Sequence, residues 1–186
     1  GSPNGGATAK AGRLFVGDEP VPQVARKGRS RQRYEDNTRL LAGSIPVRVV
    51  QREGDGQGLE VLLIRSRNHN GLVLPKGGWE SDETVEDAAA RETVEEAGVR
   101  GHLHSLGEFA FFSKRSGPCR AHMFIMHVVE ELAEWPERLE RSKQGLPRHW
   151  CSLGEARRQC HHKWMQEAIG VLEGRGAAAL ELMSPG

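Results

Sequence analysis

The sequence is poor in aromatic residues and contains no long apolar segment. Aromatic side chains make up 5% of the 186 residues, so a folded core has to be built mainly from Leu, Val, Ile and Ala. The longest apolar stretches lie near 61–64 and 124–129, far short of the roughly 20 residues that a membrane-spanning helix needs. Hydrophobic residues nevertheless reach 37%, with 27% charged, which excludes global disorder and predicts one globular domain.

Cysteines and nucleotide-binding glycine motifs are also scarce. The three cysteines, Cys119, Cys151 and Cys160, are too few and too odd in number for a disulfide framework, and no Cys-x-x-Cys pair is present. This favours a reducing compartment, so we expect a cytoplasmic or nuclear location, with organelle import through the N-terminal segment as the alternative. The absence of Gly-x-Gly-x-x-Gly argues against a dinucleotide-binding fold.

Charges of opposite sign are segregated along the chain, although the formal net charge is only +1. Residues 26–39 hold six basic residues against Glu35 and Asp36, whereas residues 80–96 hold eight acidic residues against Arg91. Acidic side chains repel an anionic ligand unless a cation lies between them, while basic side chains attract it. The combination indicates a divalent metal together with a phosphate-containing ligand.

Composition and turn signals divide the chain into three parts. We expect a disordered basic leader over 1–33, a folded domain over 34–173 and a flexible tail over 174–186. Apolar runs between turn signals predict strands over 39–50, 59–65, 72–74, 101–113, 119–130 and 149–152. Helices are predicted over 153–160 and 163–173, and from a cap at Ser81 or Asp82 to Ala97, with Gly98 at the stop. This irregular alternation predicts an α/β fold with a mixed sheet between helices.

Three glutamates in the helix that ends at Ala97 are spaced for a shared site. Glu92, Glu95 and Glu96 stand at positions i, i+3 and i+4, which places their carboxylates on one helix face. Like charges at this spacing destabilise an isolated helix, and carboxylate oxygens are ligands that Mg²⁺ prefers. Taken alone, the same cluster is also typical of a solvated acidic helix face.

The longer pattern from Gly77 to Val99 favours the metal site over the solvated face. Gly-x5-Glu-x7-Arg-Glu-x-x-Glu-Glu-x-Gly followed by an aliphatic residue resembles the signature of the Nudix hydrolases, with Thr93 where that family usually has a larger aliphatic residue. The resemblance implies the Nudix fold, an α/β/α sandwich around a mixed β-sheet. It also implies hydrolysis of a phosphoanhydride with Mg²⁺, or with Mn²⁺ in its place.

Roles in the site follow from the resemblance position by position. The residues implied as metal ligands are Glu92, Glu96, Glu95 and, through its carbonyl, Gly77. Glu95 is alternatively the general base for the attacking water. Arg91 completes the implied catalytic set of Glu95, Glu92, Glu96 and Arg91, and an ion pair with Glu83 would let it hold Glu92 or Glu95 in place.

The residues before the signature narrow the range of expected substrates. Pro75-Lys76-Gly77-Gly78 resembles the corresponding segment of Nudix members that cleave diphosphoinositol polyphosphates and diadenosine polyphosphates, and residues 28–46 resemble the plant-type branch of that subfamily. A small polyanionic substrate needs several donors, and the candidate substrate-binding residues are Lys76, Gly78, Arg65, Arg67, Arg39, Arg115, Arg148 and Lys163. Because no aromatic platform for a nucleobase is evident, the inositol substrate is favoured.

Other functions stay open at this point. One is hydrolysis of a dinucleoside polyphosphate or another nucleoside diphosphate derivative, which would require stacking residues beside the signature. Another is a catalytically silent module that binds inositol phosphates, although the intact glutamates argue against it. Nucleic acid is not an expected partner, and a monomer is favoured. The tryptophans and Phe109, Phe111, Phe112 and Phe124 are expected in the core.

Overall fold

The fold is known from a computed structural model that describes residues 13–14, 24–54, 56–140 and 148–183. These residues form nine strands and four helices. In chain order the elements are β1 (Arg13–Leu14), β2 (Tyr34–Glu35), β3 (Thr38–Arg52), β4 (Gly56–Arg65), β5 (Leu72–Val73), β6 (Lys76–Gly78), α1 (Val85–Ala97), β7 (Val99–Ser113), β8 (Gly117–Glu131), α2 (Pro136–Glu140), β9 (His149–Ser152), α3 (Leu153–Gln159) and α4 (Lys163–Met183).

One mixed sheet organises the molecule. Its strand order is β1-β7-β8-β3-β4-β5, with β2 and β6 also paired to β3 and β9 paired to β4. The central β3 and β8 run parallel, in register from Arg39 opposite Cys119 to Val47 opposite His127, and the other pairings are antiparallel. The short β6 is thereby held beside β3, next to the start of the loop that leads into α1.

Helices cover both faces of this sheet. On one face, the hydroxyls of Ser44 in β3 and Thr93 in α1 lie 2.7 Å apart. The residues of β3 on either side of Ser44 point to the opposite face of the sheet. On that face, Trp164 of α4 stacks on Phe111 of β7 with ring centroids 4.6 Å apart. The expected α/β/α sandwich is therefore confirmed. Thr93 departs from the family pattern, but its buried hydroxyl has hydrogen-bond partners, because it also donates to the Ala89 carbonyl at 2.7 Å.

The core is aliphatic, as the low aromatic content requires. Its largest fully buried side chains include Ile45, Leu62, Leu63, Ile125 and Ile169. The prediction that Phe109, Phe111, Phe112 and Phe124 are core residues is wrong for one of them, since Phe112 is 75% exposed near the β7–β8 turn. No helix in the described part of the chain is both long and apolar enough to cross a membrane.

Helix α1 starts later than predicted. Thr84, not Ser81 or Asp82, is its N-cap, and the Thr84 hydroxyl accepts a hydrogen bond from the Asp87 N–H at 3.1 Å. The helix ends as predicted at Gly98, whose φ of 65° lies in the left-handed region that glycine favours. Residues 79–84 therefore form a loop, which we call the motif loop.

The chain ends also differ from the expectation. Helix α4 continues past residue 173 to Met183, with a non-helical residue at Gly176, because Ala179 and Met183 still bury their side chains against the core. Of the expected leader, residues 24–33 contact the motif loop, as described below. Residues 1–12 and 15–23 of that leader and residues 184–186 of the expected tail lie outside the described residues. The short helix α2 and strands β1, β2 and β6 were not predicted.

Candidate active site

The three signature glutamates lie together where α1 faces β6. Glu92 and Glu95 are buried and Glu96 is partly buried. The Lys76 N–H donates to Glu96 Oε2 at 2.9 Å. The backbone of Gly77 lies so close to Glu92 that a Cβ there would overlap the Glu92 carboxylate. Position 77 therefore needs a glycine to leave room for the Glu92 carboxylate, whatever role the Gly77 carbonyl has.

Arg91 connects the glutamates to the motif loop. Its guanidinium binds Glu83 through two hydrogen bonds, at 2.9 Å and 2.7 Å, as the expected ion pair requires. The same group lies 2.9 Å from Glu92 Oε1 and 3.4 Å from Glu95 Oε2, and donates to the Gly78 carbonyl at 3.0 Å. Bidentate contact with Glu83 fixes the plane of the guanidinium, so Arg91 holds Glu92 and Glu95 in a defined position.

Burial raises the pKa values of all three glutamates in this cluster. Loss of solvent raises the pKa of Glu92 to about 7, with the nearby Glu95 carboxylate adding to the effect against the opposing charge of Arg91. Burial also raises the pKa of Glu95, and burial with the charge of Glu92 raises the pKa of Glu96 well above its usual value. The raised pKa values mean that these carboxylates would gain from a bound proton or a further cation.

The donor set fits a hard divalent cation. All three side chains offer carboxylate oxygens. The pKa values of Glu92 and Glu96 are raised, chiefly by burial, even though the charges of Arg91 and Lys76 lower them. Across the described ranges, no three carboxylate, imidazole or thiolate groups converge on one point. Glu92 is turned toward Arg91 and Glu96 toward the Lys76 N–H, so a cation would have to draw these carboxylates from their present partners.

A cationic cavity of about 200 Å³ opens beside Glu96. Its polar lining residues are Arg65, Ser66, Arg67, Asn68, His69, Lys76, Glu96, Glu137 and His162. The structure thereby brings Arg65, Arg67 and Lys76 together next to Glu96, and Arg67 Nε pairs with Glu137 at 2.9 Å. None of the described residues lining this cavity is Phe, Tyr or Trp.

The remaining candidate substrate ligands lie elsewhere. Arg148 donates to the carbonyls of Ala97 at 3.1 Å, Gly98 at 2.8 Å and Leu132, and it stacks on the Trp135 ring. This guanidinium caps the C-terminal end of α1, where carbonyls lack helical partners, and Arg148 does not line the cavity beside Glu96; substrate binding by Arg148 stays a prediction.

Four more candidate substrate ligands do not line the cavity beside Glu96, namely Arg39, Lys163, Arg115 and Gly78. Arg39 donates to Gln32 Oε1 at 3.0 Å, and burial lowers its pKa. Lys163 lines a different cavity with Arg157 and Arg158 on the surface of α3 and α4, and Arg115 is exposed in the β7–β8 turn. Gly78 does not line the cationic cavity, and its carbonyl is bound by Arg91.

Basic residues of the N-terminal arm, which we define as residues 24–33, lie on the site and were not predicted there. The Arg26 N–H donates to Glu95 Oε1 at 3.2 Å, and the Arg26 guanidinium pairs with Glu80 and with Asp82, the latter at 3.1 Å. The available sequence signal was the pairing of a basic segment at 26–39 with an acidic segment at 80–96. We assigned that basic segment to an external anion, whereas much of its charge is met within the protein.

A second cavity, of about 370 Å³, lies beyond the motif loop and is lined by Tyr34, Trp79 and His122 together with Arg33, Glu35, Leu40, Leu41, Glu108 and Arg120. Its charges are balanced, because Arg120 pairs with Glu35 and lies 3.7 Å from Glu108. Trp79 is partly buried and packs against the core, as the sequence predicts, while part of its ring also lines this cavity. The cavity supplies aromatic surface beside the signature that the sequence did not reveal.

The NUDIX domain family model matches residues 44–170. The chain belongs to the Nudix family. Among curated proteins, it is 48% identical to "Nudix hydrolase 16, mitochondrial" of Arabidopsis thaliana over 159 residues, covering 78% of this chain and 86% of that protein. It is 44% identical over 162 residues to "Nudix hydrolase 12, mitochondrial" of the same plant, covering 78% and 77%.

Among solved structures, this Nudix chain is similar to a Caenorhabditis elegans Ap4A hydrolase in a binary complex. The TM-score is 0.57 at 19% identity, covering 75% of this chain and 98% of that one. The NUDIX domain of Shewanella oneidensis NrtR, solved with ADP ribose, gives a TM-score of 0.55 at 16% identity, covering 73% and 86%. At such identities these structures show the common fold alone.

The expectation of a cytoplasmic or nuclear location is wrong by this comparison. The names of Nudix hydrolases 16, 12 and 13 of Arabidopsis thaliana all place those relatives in the mitochondrion. The scarcity of cysteine pairs separates reducing from oxidising compartments, but it does not separate the cytoplasm from an organelle interior.

Proposed function

We propose that this Nudix hydrolase cleaves the phosphoanhydride of diphosphoinositol polyphosphates with Mg²⁺, or with Mn²⁺ in its place. The observation that carries the proposal is the cavity beside Glu96, which is lined by Arg65, Arg67 and Lys76, with the carboxylates of Glu96 and Glu137, and by no Phe, Tyr or Trp among its described lining residues. Guanidinium and ammonium groups match a densely phosphorylated ligand. The cavity therefore suits a compact polyanion better than a stacked nucleobase.

The residues of the cluster divide the work of hydrolysis. Glu92 and Glu96 are the residues that would hold the cation, and a bound divalent ion supplies charge neutralisation for phosphate oxygens and acidifies a bound water. Glu95 accepts the proton of the attacking water at a carboxylate oxygen, for which its raised pKa is suited. Arg91 keeps Glu95 and Glu92 oriented through Glu83. Lys76 contributes positive charge where the phosphates would lie.

A second candidate is hydrolysis of dinucleoside polyphosphates. The cavity with Tyr34, Trp79 and His122 favours it, because its charges are balanced and its rings offer stacking surface for a base. Trp79 directly follows Gly78, so this cavity adjoins the strand that carries Lys76. A long polyphosphate could then place its phosphates at Lys76 and one base at Trp79.

The test is release of phosphate from diphosphoinositol pentakisphosphate and cleavage of diadenosine hexaphosphate, measured side by side with Mg²⁺. We expect wild type to turn over the inositol compound and Glu95→Gln to lose turnover by about 10²-fold or more. Arg65→Met is expected to raise KM for the inositol compound. Arg158→Met is the matched control, because it removes the same charge from the cavity that Lys163 lines on the surface of α3 and α4. It should leave KM unchanged. Turnover of the dinucleotide alone would support the second candidate, and turnover of neither would refute both.

We also propose that the protein resides in mitochondria, as the names of three relatives place those proteins. Immunodetection of the native protein in purified mitochondria and cytosol tests this directly. Enrichment with a matrix marker is expected, and recovery with a cytosolic marker would contradict the proposal.

A further inference from the structure

Arg33 lies outside the signature and binds the main chain of the motif loop. Its guanidinium donates to the carbonyls of Glu80 at 3.0 Å, Ser81 at 3.0 Å and Glu83 at 3.1 Å. The same group lies over the Trp79 ring, 4.5 Å from its centroid, and the Arg33 N–H donates to the Trp79 carbonyl at 2.9 Å. One planar group with several donors thus joins three carbonyls of the loop. Two of them have a second donor, because the Glu83 carbonyl also accepts from Trp79 Nε1 at 3.0 Å and the Glu80 carbonyl from the Glu83 N–H at 3.4 Å.

The loop that Arg33 binds carries the contact that orients the glutamates. The Glu83 carbonyl accepts from Arg33, while the Glu83 carboxylate accepts twice from Arg91 and once from the Glu80 N–H at 3.1 Å. Arg91 in turn lies 2.9 Å from the carboxylate of Glu92. A displacement of the Glu83 main chain would therefore be passed through Arg91 to the site.

Gln32 supports the other side of the same loop. Its Nε2 donates to the carbonyls of Leu40 at 2.7 Å and Trp79 at 3.3 Å, which joins β3 to the motif loop. Its Oε1 occupies the space that a Cβ on Gly78 would take. The Gly78 carbonyl accepts from Arg91 at 3.0 Å, so Gln32 packs against a residue whose main chain binds Arg91 directly.

We propose that Gln32 and Arg33 are positioning residues for the Nudix reaction, acting from the N-terminal arm through the motif loop on Arg91. The side chains of Gln32 and Arg33 form hydrogen bonds with main-chain carbonyls and with Arg39, so their effect on the reaction is indirect. This inference rests on the proposed metal-dependent hydrolysis for its kinetic consequence. It explains why residues ahead of the signature carry a polar Gln-Arg pair instead of apolar packing residues.

The test compares Arg33→Met with Arg31→Met. Both remove one positive charge from the arm, but the Arg31 side chain is 60% exposed and pairs with the carboxylate of Asp82 instead of binding the carbonyls of the motif loop. For Arg33→Met we expect kcat to fall about tenfold or more with KM within twofold of wild type, since misplacement of reacting groups lowers the rate more than binding. Mn²⁺ affinity without substrate should weaken about tenfold, and Arg31→Met should change neither quantity.

Two further measurements keep the inference testable if a variant or the assay fails. Arg33→Lys keeps the charge but cannot span three carbonyls, so it should not rescue kcat or Mn²⁺ affinity. The Arg91 Nε–H signal in nitrogen-15 NMR, assigned with Arg91→Lys, should exchange faster with solvent in Arg33→Lys and Gln32→Ala than in wild type or Arg31→Met. This comparison decides the inference even if wild type hydrolyses neither substrate, which would overturn the proposed function alone. Wild-type behaviour of Arg33→Lys in all three measurements, or an equal effect of Arg31→Met, would overturn the inference.

Discussion

Removing the buried charge of Glu92 should change how stability depends on pH. The pKa of Glu92 is raised from 4.5 to about 7, chiefly by burial. A carboxyl with a raised pKa contributes stability that is fully present below about pH 4.5 and is lost as the pH rises through about 7. Between pH 5.5 and 8.5 this one group accounts for about 2 kcal/mol of unfolding free energy.

The assay is thermal unfolding of wild type and Glu92→Gln at pH 5.5 and pH 8.5, with a chelator to remove divalent cations. Because Gln carries no charge at either pH, the variant should gain on wild type by about 2 kcal/mol at the higher pH, or about 4–8 °C in Tm. Comparing the two proteins cancels the opposite trend from histidines whose pKa burial lowers, such as His104 and His127. Saturating Mg²⁺ should remove the disadvantage of wild type at pH 8.5.

Glu86→Gln is the matched control, because Glu86 lies in the first turn of the same helix and outside the cluster. Its stability difference from wild type should not vary by more than about 0.5 kcal/mol between the two pH values. A Glu92→Gln difference that is constant with pH, or that moves against the variant at high pH, would refute the reasoning from burial.

Three substitutions test the structural roles of glycine and arginine around α1. Gly77→Ala should lower kcat by about 10²-fold in the phosphate-release assay, because its Cβ would displace the Glu92 carboxylate; near wild-type kcat would contradict this. Arg148→Met should cost about 1–3 kcal/mol in urea unfolding by removing the hydrogen bonds to the Ala97 and Gly98 carbonyls, of which Gly98 keeps its bond from the Leu132 N–H, with KM unchanged; a raised KM would instead support substrate binding by Arg148. Gly98→Ala should cost at least about 1 kcal/mol in the same urea assay, since φ is 65° and a Cβ would overlap Trp135; no loss would show that the turn adapts.

The sequence was informative where a property repeats with the period of a helix or strand. The spacing of Glu92, Glu95 and Glu96 was enough to predict a common helix face, on which Glu92 and Glu95 contact Arg91 and Glu96 accepts from the Lys76 N–H. Apolar runs located the long strands to within a few residues, because each strand of the sheet buries side chains against helices. These features depend on local patterns that a single sequence contains.

The partners of the arginines could not be predicted in the same way. Arg33 binds the Glu80 carbonyl 47 positions away and Arg148 binds the Ala97 carbonyl 51 positions away, and a carbonyl carries no signature of its own. From sequence alone each arginine was assigned to an external anion or left as exposed surface. The same limit applies to Arg26, whose N–H reaches Glu95 across 69 positions.

The start of α1 shows a different limit. Ser81, Asp82 and Thr84 are all residue types that cap helices, so local preference did not decide between them. Arg33 binds the carbonyls of residues 80, 81 and 83, which makes the loop conformation favourable up to Thr84. Likewise, glycines 174 and 176 suggested an early end to α4, whereas burial of Ala179 and Met183 extends it.

Titration of the metal-free protein with Mn²⁺ tests the central claim that the α1 carboxylates hold a divalent cation. Isothermal titration calorimetry of wild type, Glu96→Gln and Glu86→Gln compares a cluster residue with a glutamate on the same helix outside the cluster. We predict saturable binding to wild type and Glu86→Gln, and affinity about tenfold or more weaker in Glu96→Gln. Equal affinity of Glu96→Gln and wild type, or equal losses in both variants, would contradict the account.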